Sequence, residues 1–155
     1  MLNKNKFFKC EKQLTNDNLT ECENKLGIKI PSSLKQLYLT CNGGNIYQNV
    51  CIIDRFPYKF KISKFLAIKY NQAFKNDPDF LLEGIVLEHW NENKLPKTLL
   101  PFALDYGDGF LCINIDTGAI YQYIRFAWDT TLSKEQNFEK IVFIYLIHWE
   151  NSWIV

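Results

Sequence analysis

A chain of 155 residues that is 47% hydrophobic, 15% aromatic and 23% charged has the make-up of one folded globular domain with a sizeable core, which excludes intrinsic disorder. Its net charge of +1, from 18 Lys and Arg against 17 Asp and Glu, supplies no molecule-wide field to gather phosphate backbones. Nucleic acid is therefore not an expected partner, and any charge-driven contact has to use a local patch.

Taken in chain order, residues 1–14 lack the apolar core and cleavage site of a signal peptide. Over residues 16–25, Leu19, Cys22 and Leu26 recur at helical spacing, with Asn16 as the expected cap and Gly27 as the stop. Pro31 opens a second helix with Leu34, Leu37, Tyr38 and Cys41 on one face, ended by Asn42, Gly43 and Gly44. Residues 46–53 and 55–62 are rich in β-branched and aromatic side chains and predict strands. Residues 63–75 return to a helical pattern, and residues 80–90 fit either a strand or a buried helix. Residues 99–103, 110–115 and 119–126 predict strands, joined by a turn at Asp105, Gly107 and Gly109 and by a hairpin loop whose last residue is Gly118. Ser133 and Gln136 have capping-box spacing. Phe138, Ile141, Val142, Tyr145 and Trp149 then predict a helix that closes the core. The apolar run 141–147 is far shorter than the roughly 20 residues of a membrane span, so no membrane association is expected. No repeat or linker marks a second domain, and residues 1–155 read as one.

The order of these elements and three motifs together resemble the SUKH superfamily, the Smi/Knr-type domain of many bacterial immunity proteins in polymorphic toxin systems. The motifs are Leu26-Gly27-Ile28-Lys29-Ile30-Pro31 between the first two helices, Asn42-Gly43-Gly44 after the second, and Leu100-Pro101-Phe102-Ala103-Leu104-Asp105. The last leads into a glycine turn, the strand 110–115, and Ile120-Tyr121-Gln122-Tyr123. The likeness spans about residues 19–123. It implies an α+β domain with an N-terminal helix pair, a central, mostly antiparallel sheet and a C-terminal helix. It also implies a protein that neutralises a cognate toxin, encoded by a neighbouring gene, by binding it in the producing cell.

The inventory for chemistry is thin. His89 and His148 each lie beside a Trp, outside any metal-spaced or nucleophile motif, and read as structural or surface residues. A pairing of Cys41 or Cys51 with His89 is weaker than the reading of core cysteines. The five cysteines, Cys10, Cys22, Cys41, Cys51 and Cys112, predict reduced thiols and a cytoplasmic location. Asp105 and Asp108, with Asp116 beyond, suit turn residues better than a cation site, because Asp in such segments bonds its own backbone. No metal and no cofactor is expected, and the protein reads as non-catalytic.

Charge is segregated along the chain. Arg55, Lys59, Lys61, Lys64, Lys69 and Lys75 form a basic stretch against the single Asp54, and Asp77, Asp79, Glu83, Glu88 and Glu92 an acidic one. The expected partner surface combines Glu83, Glu88 and Glu92 as steering charges with Trp90 as apolar anchor. The alternative is the strand face bearing Tyr121, Tyr123 and Arg125 with Trp128. A monomer or weak homo-oligomer is expected. A regulatory or scaffolding module is the second reading, and a small hydrolase or nuclease built on Asp105, Asp108 and a histidine the third.

Overall fold

The computed structural model describes residues 4–47, 50–52, 59–107, 109–124 and 128–145. Helix α1 (Asn16–Leu26) is capped by Thr15, one residue before the expected Asn16: Thr15 Oγ1 accepts from the Asn18 amide and Asn18 Oδ1 from the Thr15 amide, a closed capping box. It stops at Gly27, whose φ of 69° is left-handed. Helix α2 (Ser32–Thr40) follows Pro31 and buries Leu34, Leu37 and Tyr38. The joint between the two helices is held from inside. The buried Glu23 carboxylate accepts from the Ile30 amide at 2.8 Å and lies 3.0 Å from the Lys35 ammonium. Burial pushes this carboxyl up, but the Ile30 amide and Lys35 outweigh it and hold it below its ordinary value.

Strands β1 (Phe7–Phe8) and β2 (Asn45–Ile46) pair as a small antiparallel ribbon. The main sheet is a six-stranded antiparallel meander in sequence order. It comprises β3 (Val50–Ile52), β4 (Lys59–Phe65), β5 (Leu99–Asp105), β6 (Phe110–Asn114), β7 (Ile120–Tyr123) and β8 (Val142–Tyr145). Pro101 lies in the interior strand β5, where a missing N–H would break a regular ladder. The register with β6 shifts between Pro101 and Ala103, and that bulge accommodates it. The fold is the expected α+β domain, with helices packed on an antiparallel sheet, and its core includes Leu19, Leu34, Tyr38, Ile68, Leu82, Val86, Leu100, Phe102, Phe110 and Tyr123.

Three expectations are corrected. The helix over residues 63–75 does not form. β4 continues to Phe65, and the irregular segment after it buries Leu66, Ala67 and Ile68 in succession, leaving no polar face for an amphipathic helix. Its backbone is satisfied by tertiary partners instead: the Leu66 amide bonds Phe102 O and the Ile68 amide bonds Asn42 Oδ1, both at 2.8 Å. The C-terminal helix is α4 (Lys134–Ile141), opened by a Ser133–Gln136 capping box, and it ends before Val142. The β-branched and aromatic run that follows pairs with β7, whose edge would otherwise be open. Trp149 and the rest of the helix expected there lie outside the described residues. Finally, the cysteines are not all thiols: Cys10 and Cys41, 31 residues apart, form a disulfide. Cys22 and Cys112 are free and buried, and the side chain of Cys51 is outside the described part. The ambiguous stretch 80–90 resolves as helix α3 (Leu82–Asn91).

Candidate interaction surface

The acidic stretch is not one surface. Asp77 and Asp79 are exposed on a 3-10 turn, Glu88 on α3 and Glu92 at its C-terminal cap, and Glu92 is paired with Lys94 at 2.6 Å. Glu83 faces the interior at 7% exposure, where Oε1 accepts the Lys69 amide at 3.0 Å and Oε2 has no hydrogen-bond partner among the described residues. Burial pushes the Glu83 carboxyl above its ordinary value. Trp90 is a core residue at 4% exposure whose indole N–H donates to Leu99 O at 3.1 Å. Neither Glu83 as a steering charge nor Trp90 as an exposed anchor fits these positions. Period-3.6 spacing on an amphipathic helix puts both on its buried face, whereas Glu88 and Glu92 remain outside.

The alternative face is also partly closed. Tyr123 is fully buried, stacked on Phe110 with centroids 6.2 Å apart and met at its edge by His89. Tyr121 and Trp128 are half-buried against the core, and the Trp128 ring meets Phe138 edge-on. Arg125 lies outside the described residues.

Among the described residues no group of three or more His, Cys, Asp and Glu is arranged to hold a metal ion. Asp105 closes its turn by accepting from the Gly107 and Gly109 amides at 2.7 and 2.8 Å, and Gln122 Nε2 reaches its other oxygen. Asp108 is outside the described residues. In the hairpin, Asn114 Oδ1 accepts from the Asp116 and Thr117 amides, and Gly118 takes φ 75°. His89 is buried, with Nδ1 2.8 Å from Ile85 O; because a carbonyl only accepts, that nitrogen carries the proton. His148 is outside the described residues. The buried Cys22 and Cys112 thiols are pushed far up by desolvation and are poor nucleophiles.

A cleft of about 180 Å³ opens instead where the N-terminal arm crosses the segment after β4. Phe65, Leu66 and Ala67 line it together with Gly44 and Asn45, and Lys9, Glu11 and Lys64 also face it. Phe74 and Phe80, also lining it, stack face to face at 4.0 Å and 6° while 42% and 45% exposed. The arm can approach because position 44 has no side chain: a Cβ on Gly44 would lie 2.7 Å from Phe8 O and 2.8 Å from Lys9 O. The turn carrying Phe80 likewise sits directly on α3, where a Cβ on Gly84 would overlap Pro78 O at 1.9 Å. None of Lys9, Lys64, Phe74 and Phe80 was singled out by the sequence as part of a site. The available signal was two phenylalanines inside an otherwise polar, turn-forming stretch.

A helix pair and a third helix pack on an antiparallel meander, and an aromatic cleft opens beside the N-terminal arm. A family model described as the SMI1 / KNR4 family (SUKH-1) matches residues 13–145, and the chain belongs to that family. The arm carrying Lys9, Cys10 and Glu11 precedes the matched region. No curated protein matches the chain.

Proposed function

We propose that this chain is an immunity protein that binds and neutralises a cognate toxin in the cell that makes both, acting as a stoichiometric blocker and not as a catalyst. The observation that carries the reading is family membership over residues 13–145. It is supported by a surface suited to protein contact, with the exposed, stacked Phe74–Phe80 pair and two lysines, Lys9 and Lys64, that make no ion pair among the described residues, beside a shallow cleft. No helix among the described residues is long and apolar enough to cross a membrane. The proposed compartment is the producer's cytoplasm, where thiol systems would hold Cys10 and Cys41 reduced; the Cys10–Cys41 disulfide found oxidised in cells would count against that compartment. The test is co-expression with the toxin domain encoded by the neighbouring gene. Restored growth and a one-to-one complex on gel filtration support the reading; toxicity unchanged by the protein contradicts it.

A further inference from the structure

We propose that the cleft between the N-terminal arm and the Phe74–Phe80 pair docks an acidic, apolar loop of the partner protein; this rests on the reading of the chain as a partner-binding immunity protein. Exposed aromatic rings stacked in solvent are costly to leave uncovered and typical of the few residues that carry interface energy. The cleft, at about 180 Å³, is smaller than the roughly 300–1,000 Å³ of most small-molecule sites, so it suits one or two side chains of a protein. Charge selects the kind of loop. Lys9 and Lys64 line the cleft, are exposed and make no ion pair among the described residues. The one carboxylate in the lining, Glu11, already accepts the Gln72 amide at 3.2 Å. With Lys9 and Lys64 against Glu11 alone, the lining carries a net positive charge, and the complement is a carboxylate next to an apolar side chain. Asp77 and Asp79 lie outside the lining, and Asp77 is used to accept the Asp79 amide at 3.0 Å. Lys9 and Glu11 precede the family-matched residues, and the arm that carries them forms one wall of the cleft.

Two arms test this. The first is independent of any toxin: backbone amide NMR shifts are followed during titration with acetyl-Glu-Phe-Asp-Leu-Glu-amide and with its counterpart carrying Lys for each acid. The proposal expects shifts at residues 9, 64, 74 and 80 with the acidic peptide, weakened by salt, and far smaller ones with the basic peptide. No binding, equal binding of both peptides, or shifts confined to another face would overturn it. The second arm compares binding of the neighbouring-gene toxin domain by wild type, Phe74→Ala/Phe80→Ala, Lys9→Gln/Lys64→Gln and the control Glu88→Gln. Affinity should fall at least about tenfold in the first two variants and stay within about twofold in the control. A toxin bound equally by all would refute the docking site and leave the immunity reading standing. Peptide binding in the cleft without toxin binding would do the reverse.

Discussion

Asn42 and Ile68 form a reciprocal pair: the Asn42 amide nitrogen donates to Ile68 O at 2.9 Å and its oxygen accepts the Ile68 amide at 2.8 Å. The asparagine side chain thereby acts as a strand partner for the irregular segment after β4. Its own carbonyl accepts the Glu11 amide at 2.8 Å, and its Nδ2 also reaches Lys12 O. One buried residue therefore joins α2, the arm and the floor of the cleft. Asn42→Ala leaves a buried amide and carbonyl without partners and should cost about 3 kcal/mol in urea unfolding. A loss under about 0.5 kcal/mol would contradict this role.

Tyr38 supports the same floor from α2, its hydroxyl donating to Leu66 O at 2.8 Å with Phe102 O at 3.3 Å. Tyr38→Phe keeps the ring and removes the donor, so it should cost about 1 kcal/mol with no change in fold by circular dichroism.

Glu23 and Glu83 should shape the pH profile in opposite directions. The Glu23 carboxyl is lowered in the folded state, so its contribution is present above the unfolded carboxylate value and is lost as pH falls through the folded one. Glu83 is raised, so its contribution is present below the unfolded value and is lost as pH rises through the folded one. Glu83→Gln keeps an acceptor for the Lys69 amide and removes the buried charge. It should leave stability nearly unchanged at pH 4 and raise it by about 1 kcal/mol at pH 7.5. Equal effects at both pH values would show that ionisation of Glu83 is not the cause.

The Cys10–Cys41 disulfide closes a long loop and ties the arm to the end of α2. Reduction by dithiothreitol breaks the S–S bond, leaves a thiol on each cysteine and oxidises the reagent to its cyclic disulfide. Loop-closure entropy puts the lost stability at about 3–4 kcal/mol for the 31-residue separation. Thermal unfolding with and without reductant measures it, and the Cys10→Ser/Cys41→Ser variant should be insensitive to the reagent.

Local signals were legible in the sequence where the partners are close in the chain. Gly27, Pro31 and the 133–136 capping box mark helix ends because their hydrogen bonds span a few residues, and the β6–β7 hairpin follows from its three-residue loop. The helix expected over residues 63–75 failed because Leu66, Ala67 and Ile68 are all buried and take their hydrogen bonds from Asn42 and Phe102, contacts that no local period encodes. The last helix was overextended because residues 142–145 suit either period, and the open edge of β7 decided for a strand. The expected surface suffered similarly. Glu83 and Trp90 read as exposed members of a charged run, but the buried face of α3 passes through both. The cleft joins residues 9, 64, 74 and 80 from separate parts of the chain, and the disulfide joins residues 10 and 41; both are consequences of the tertiary fold.

The most direct test of the central claim is titration of the neighbouring-gene toxin domain's activity with this protein at toxin concentrations well above the dissociation constant. A stoichiometric blocker predicts a linear fall to baseline with the break at one equivalent. Inactivation that goes to completion at a small fraction of an equivalent would reveal turnover, and activity unchanged at excess protein would contradict the account outright.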